Sequence, residues 1–516
     1  MKINRKMLVS VSAAMLAASM LAACGANNAG NASGTSQGQT AQETGPLKLS
    51  IMSILLSANP PANDNAIKKL IEKATNTEMT IQWVSANSYN DKLNVSLASG
   101  DIPDLVYIPP ELMQTTFRTA VQQGVFWDVT NYIKDYPNLT NKISKTAWDL
   151  SKMDDGKNYS IPRPRPSEAD AFFVIRKDWL DNLGLKVPTT TDEFYNVLKQ
   201  FTENDPDKNG KKDTIGLAAN VTPPDKMEGL GQLEYSFAGA NGFWKYTDNK
   251  MQYSAFQPEE RKALEFMNKL YTEKLIPEDF ASMKASQVKD LVKAGKAGVM
   301  WEKAGSVTEY VNEIKKTNPN FKESDFVPLT NLNGYNPKGP GFAGVLAIPK
   351  KVDEAKMKRI LKMIDTWMND DVFNIQQYGI EGIDHTVKDG VKVVDAKKLQ
   401  ENGGPDFNQI VYVADPYASS IKNYFPKDVQ ETYKKIQDER AKTSSADISF
   451  GLFSQTAQLS LPEFQKKVQD MKVKVIMGRE SLAAWDDFVN KMKVDPNFVK
   501  IGQELTEAYQ KRSGTK

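Results

Sequence analysis

Leu47-Lys48-Leu49-Ser50-Ile51-Met52, Thr80-Ile81-Gln82-Trp83-Val84 and Leu105-Val106-Tyr107-Ile108 are three short apolar runs, and the segments between them read as helices. Asn65 to Ala74 places Ile67, Leu70 and Ile71 on one helical face, and Lys92 to Leu97 forms a second helix ahead of the turn Gly100-Asp101-Ile102-Pro103. Strand, helix, strand, helix, strand opens a parallel sheet, because parallel neighbours need a crossover long enough to hold a helix. The expected class is α/β, with helices on both faces of the sheet. A second alternation begins at Phe172-Phe173-Val174-Ile175, and a third surrounds Val345-Leu346-Ala347-Ile348. No repeat of solenoid period runs through the chain.

Upstream of the first strand lies an export signal. Lys2, Arg5 and Lys6 form a positive start, Met7 to Ala23 carries no charge, and Leu21-Ala22-Ala23-Cys24 places the chain's single cysteine directly after two small residues. The other readings are a membrane-spanning helix and a chance cysteine in a cleaved signal. A span takes roughly 20 apolar residues, and this run is shorter and rich in Ala and Ser. The arrangement resembles the bacterial lipobox, which implies cleavage after residue 23 and lipid on the Cys24 thiol. The following stretch to Pro46 is Gly, Asn, Ala, Ser, Thr and Gln, with Glu43 its only charge. It cannot bury a core, so residues 24–46 are expected to be a lipidated, flexible linker with an r.m.s. reach of about 26 Å.

The chain carries 66 basic and 64 acidic residues, and loss of the signal's three basic residues leaves a net charge of −1. Nothing in that balance recruits nucleic acid. A chain of 516 residues exceeds what one core fills, so two lobes are expected. With Cys24 lipidated no disulfide forms, and stability rests on packing and a bound ion.

Several stretches carry a family resemblance across most of the mature chain. Leu97-Ala98-Ser99-Gly100-Asp101-Ile102-Pro103-Asp104 resembles the segment before the third strand of bacterial extracellular solute-binding proteins for sugars. Ile175-Arg176-Lys177-Asp178-Trp179-Leu180, with Leu183-Gly184-Leu185 and Pro188-Thr189-Thr190, is similar to the start of their second lobe. Tyr378-Gly379-Ile380-Glu381-Gly382-Ile383-Asp384 and Val475-Ile476-Met477-Gly478 resemble signatures of the large lipoprotein branch. The resemblance implies an α/β, two-lobe, periplasmic-binding-protein-like fold of type II, with a hinge and an interlobe cleft. It implies an N-terminal lobe of about 47–160 and 341–385, and a C-terminal lobe of about 161–340 and 386–516. It also implies an oligosaccharide ligand, the permease subunits of an ABC transporter as partner, and a monomer anchored to the outer face of the cell membrane by lipid.

Asp205-Pro206-Asp207-Lys208-Asn209-Gly210-Lys211-Lys212-Asp213 sets side-chain oxygens at positions 1, 3, 5 and 9 and glycine at 6. That matches the first part of a calcium loop. Asp205, Asp207, Asn209 and Asp213 would give side chains and Lys211 its carbonyl, so structural calcium is expected. The twelfth position is Gly216 in place of the usual Glu, and some sugar-binding relatives carry an acid where Thr214 sits. The other reading is a turn that binds nothing. The preceding helix is well specified, since Thr190 and Glu193 have capping-box spacing and Phe194, Leu198 and Phe201 share a face.

Catalytic constellations are sparse. His385 is the only histidine, which rules out multi-histidine zinc sites, and no Gly-x-Ser-x-Gly elbow occurs. Gly339-Pro340-Gly341-Phe342-Ala343-Gly344 spells a dinucleotide fingerprint ahead of a strand, the wrong context, and reads as a hinge-adjacent loop. Sugar recognition needs flat apolar faces and planar polar groups. Trp301, after Ala297-Gly298-Val299-Met300, is the foremost candidate through its resemblance to a cleft aromatic, against the reading of a core tryptophan. Arg163 and Arg165, among Pro162, Pro164 and Pro166, come next, or are exposed bases on a stiff loop. Phe342, Tyr378, Glu381, Asp384 and His385 are further candidates near the expected hinge, while Trp179 and Trp367 read as packing residues. A surface carbohydrate-active enzyme or lectin is the alternative, since two carboxylates distant in sequence can meet in space.

Overall fold

The computed structural model describes residues 45–514 apart from 56, 58, 169, 223, 224, 389, 423 and 424. The signal, Cys24 and almost all of the linker lie outside the described residues. From Pro46 onward the chain forms one compact unit, built around two sheets.

The first sheet has the order Thr77–Ser85, Leu47–Leu55, Leu105–Ile108, Phe342–Ala347, Ile161–Pro164. Its first three strands are parallel, with Leu47 opposite Thr77 and Ile51 opposite Leu105. The connecting helices are Ala66–Thr75 and Tyr89–Ser99. Asn65 caps the first by accepting from the Lys68 amide, and Ile67 and Ile71 face the core. The last two strands are antiparallel to their neighbours, Val345 lying opposite Ile108 and Leu346 opposite Ile161. The sheet is therefore mixed, completed by strands from far along the chain.

The second sheet runs Phe326–Pro328, Phe172–Arg176, Ala297–Glu302, Ile215–Leu217. Phe172, Phe173 and Ile175 enter the main core of this lobe, while Val174 enters a smaller core. The helix Thr191–Glu203 begins with the expected capping box at Thr190 and Glu193. It buries Phe194, Leu198 and Phe201, with Phe201 edge-on to Trp179 at 5.2 Å.

Each sheet has its own core, and the first reaches beyond residue 385. Leu399, Phe407, Ile410 and Val411 pack with Leu49, Val106 and Trp367. Gln376 makes the connection: it accepts from Trp367 Nε1 at 2.7 Å and donates to Asn408 Oδ1 and the Val411 carbonyl at 2.8 Å. Ile161 also belongs to this core, so the expected boundaries at 160/161 and 385/386 each cut through the first lobe.

The lobes are joined where residues 165–168 and 339–341 cross. Arg165 N donates to the Gly341 carbonyl and Gly339 N to the Ser167 carbonyl, each at 2.8 Å. Gly339 and Gly341 lie at this crossing, whereas Gly344 is already inside the strand Phe342–Ala347 and not in a loop. Residues 447–453 form a third tie. Phe450 packs edge-on to Phe342 at 5.6 Å, and Ile448 and Leu452 pack on the second core. An arginine from each lobe fastens this segment: Arg118 donates to Gly451 O at 3.1 Å and Arg512 to Phe450 O at 2.6 Å. No helix among the described residues is long and apolar enough to cross a membrane.

Candidate functional site

Trp301 stands near the end of the central strand of the second sheet, opposite Phe173, and Phe172 pairs with Glu302. The chain enters Phe172 from the first crossing, so Trp301 lies at the sheet end that faces the other lobe's connection. Sites in α/β proteins gather at such strand ends. The indole is half-buried and its Nε1 donates to the Ala171 carbonyl at 3.1 Å. It forms a wall of two recesses, one of about 160 Å³ and one of about 240 Å³.

The first recess is lined by Tyr235, Phe243 and Tyr253 as well as Trp301, with Gln232, Gln465 and Gln469 supplying amides. Its back wall holds a buried ionic group: Lys472 Nζ lies 2.8 Å from Glu234 and 2.7 Å from Glu260, all three almost fully enclosed. Burial pushes the Glu260 carboxyl up, reinforced by the Glu234 charge and opposed by Lys472. Burial alone would pull Lys472 down, but Glu234 and Glu260 outweigh it and hold the ammonium charged. Gln469 donates to the Lys226 carbonyl at 3.0 Å, fixing the turn at the rim.

Glu228 and Trp301 line both recesses. Glu228 opens the helix Glu228–Ala238 with φ at +46°. Such a backbone costs a side-chain-bearing residue of order 1–3 kcal/mol and gathers at functional positions. Glycine at the next position lets the helix approach closely, because a Cβ on Gly229 would stand 3.0 Å from Trp301 Cβ.

Arg163, Arg165 and the later candidates fall elsewhere. Ile161-Pro162-Arg163-Pro164 is an edge strand of the first sheet, a place where proline's missing N–H is tolerated. Arg163 is buried and engaged on all sides. It donates to Ala343 O at 3.0 Å, to Gln409 Oε1 at 2.7 Å and to Tyr107 Oη at 3.3 Å, and covers the Tyr107 ring. Burial draws its guanidinium down to about 10. The expected ligand-facing role is corrected to that of a pin between the sheet and Gln409. Arg165 remains half-buried at the start of the crossing, stacked 4.1 Å over Tyr412.

Phe342 is buried against Phe450, so it seals the lobe junction. Tyr378, Glu381, Asp384 and His385 form a knot on the first lobe. Asp384 accepts from Ile380 N at 2.8 Å and Asn402 Nδ2 at 2.5 Å, and His385 Nδ1 meets the Tyr378 carbonyl at 2.9 Å. Glu381 is exposed on the turn. None of these residues lines the Trp301 recesses; the buried Asp384 and His385 close a turn. Trp179 and Trp367 are fully buried, as expected of packing residues.

The 205–213 loop is a tight turn in which Asp205 takes the amides of Asn209 at 3.0 Å and Gly210 at 2.9 Å. The Asn209 side chain donates to Asp207 at 2.8 Å and Asp213 at 3.2 Å, and Lys296 bonds the other Asp213 oxygen. Burial and the hydrogen-bonded Asp205 push the Asp207 carboxyl up, and one of its oxygens is buried without a partner. Among the described residues no three His, Cys, Asp or Glu side chains converge as metal ligands. The acids are instead gathered around the Asn209 side chain. Hard oxygens on one turn, one of them orphaned, suit a hard cation in chemistry.

Sequence reading missed the aromatic wall and Glu228. The helix Glu228–Ala238 buries Gln232, Glu234 and Ser236 among its apolar residues, so no apolar stripe marks its site-facing side. The buried polar residues were the available signal.

Two α/β lobes joined by crossing segments, with an aromatic and amide-lined recess at the crossing end of one sheet, define a binding protein for a polar solute. Comparison with known proteins agrees. Residues 57–357 match the family model described as bacterial extracellular solute-binding protein, and the chain belongs to that family. It is 33% identical over 487 residues to the polygalacturonan/rhamnogalacturonan-binding protein YtcQ of Bacillus subtilis, covering 92% of this chain and 94% of that one. It is 34% identical over 389 residues to lipoprotein LipO of the same organism, 73% of each chain. Its fold matches an HMO-binding, ABC-transporter-associated solute-binding protein of Bifidobacterium longum infantis with a TM-score of 0.67 at 20% identity, over 91% of this chain and 99% of that one. The family model and YtcQ are those of binding proteins, and this chain is a binding protein, not an enzyme.

Proposed function

We propose that this protein captures an oligosaccharide at Trp301, closes its lobes over it and delivers it to an ABC importer, while lipid on Cys24 holds it, as a monomer, at the outer face of the cell membrane. The observation that carries the reading is the half-buried indole at the crossing end of the second sheet, with a recess on either side. An aromatic face receives the C–H side of a sugar ring, and amides and carboxylates beside it pair with hydroxyls. Arg165 over Tyr412 places a second flat, cationic group at the crossing end of the first sheet, where closure brings polar groups to the ligand. The sugar polymers named for YtcQ support a carbohydrate ligand, and the name of LipO supports the anchor.

Asp205, Asp207, Asn209 and Asp213, with the Lys211 carbonyl, hold a structural calcium ion in this reading. The ion would neutralise the crowded acids and stiffen the turn between the helix Thr191–Glu203 and the strand Ile215–Leu217. The functional test is thermal melting against a panel of plant and bacterial oligosaccharides, with chromatography of the recovered sugar. Stabilisation by one sugar class, returned intact, is expected; no shift with any oligosaccharide overturns the reading.

A further inference from the structure

Resting on the reading that the Trp301 recesses take a sugar, we infer that Glu228 selects the ligand: the ring on Trp301 is one that presents hydroxyl or ammonium donors, and a uronate carboxylate is excluded there. Each recess alone is smaller than the 300–1,000 Å³ usual for a ligand site. Trp301 and Glu228 line both, so a sugar chain that spans Trp301 meets Glu228 on either side. The positive φ of Glu228 and the contact of Gly229 with Trp301 set the Glu228 backbone beside the indole, and Glu228 lines both recesses.

The neighbouring lysines are paired or exposed, Asp225 adds its carboxylate to the first recess alone, and Glu228 is the acid common to both. Lys472 is shared between Glu234 and Glu260, and Lys289 is paired with Glu302 at 3.3 Å. Lys226 and Lys303 line the recesses but are exposed to water, where screening blunts them. The Glu228 carboxylate makes no hydrogen bond or ion pair among the described residues. A carboxylate has only acceptors to offer, so it pairs with hydroxyl or ammonium donors and repels a second carboxylate in the recess. The site therefore differs in ligand charge from a polyuronate receptor, although a relative is named for binding polygalacturonan.

Calorimetry on the intact, calcium-supplied protein with matched pairs tests this: tetragalacturonate against its methyl ester, and cellotetraose against its oxidised uronate. The neutral member of at least one pair is expected to bind about 10-fold tighter or more than the acid, and Glu228→Gln, which keeps the shape, to narrow that gap to within about 3-fold. An acid that binds the wild type as tightly as its neutral partner, or a gap unchanged in Glu228→Gln, overturns the assignment. No binding by any of these sugars or by the broader panel removes the sugar reading, and this assignment with it.

Discussion

Truncating Trp301 to alanine separates a binding tryptophan from a packing one, because the two roles lead to opposite ratios of stability loss to binding loss. A fully buried tryptophan changed to alanine costs about 3–5 kcal/mol of fold stability. Trp301 is only half-buried, is bordered by two recesses, and keeps one anchoring hydrogen bond to Ala171. Its truncation is expected to cost about 2 kcal/mol of stability, half the buried figure. An aromatic face under a bound ring is worth about 1–3 kcal/mol, so oligosaccharide affinity should fall by a factor of about 5–150. Trp179, fully buried against Phe201, is the control: Trp179→Ala should cost the full 3–5 kcal/mol and leave the affinity of the remaining folded protein nearly unchanged. Denaturant melts and titration calorimetry on both variants give the four numbers. The reasoning fails if Trp301→Ala destabilises as much as Trp179→Ala and binds sugar like the wild type.

Chelation should lower the melting temperature of the wild type but hardly that of Asp207→Ala, since calcium at 100 times its Kd contributes about 2.7 kcal/mol; equal melting with ion and with chelator, after stripping is verified, refutes the calcium site. Burial, reinforced by the Glu234 charge, pushes the Glu260 carboxyl up to about 8 from an ordinary 4.5. The folded state thus keeps a proton that the unfolded chain has lost, and stability falls as pH rises from about 4.5 to 8. Glu260→Gln should flatten that slope in a melting series across this window, and an identical slope in the variant contradicts the assignment. Cys24→Ser should shift the protein from the detergent phase to the aqueous phase or leave an uncleaved precursor; a mature, lipid-bearing Cys24→Ser protein rules out the anchor.

The parallel opening was legible because strands near in sequence pair through helices whose apolar faces repeat locally. The capping box at Thr190 was legible for the same reason, since cap and partner lie three residues apart. Ile161–Pro164 was not, because alternate prolines read as a stiff loop and only the edge of a sheet accommodates them. Arg163 was misread with it: its partners, Gln409 and Ala343, lie about 180 to 250 residues away. The extension of the first lobe to Val411 rests on long-range packing of Leu399, Phe407, Ile410 and Val411 against Leu49 and Val106 and on the Gln376 side chain, which no periodicity reports. Trp301 was found through a motif on its own strand, whereas Tyr235, Phe243 and Lys472 reach the recess from separate elements whose meeting is a tertiary fact.

Lobe closure is the central claim, and small-angle scattering measures it directly. A ligand that binds between lobes favours the closed state by its differential affinity for that state. A cognate oligosaccharide at saturating concentration should lower the radius of gyration and be recovered unchanged. Tight binding with the same radius of gyration in the free and loaded protein would contradict capture by closure.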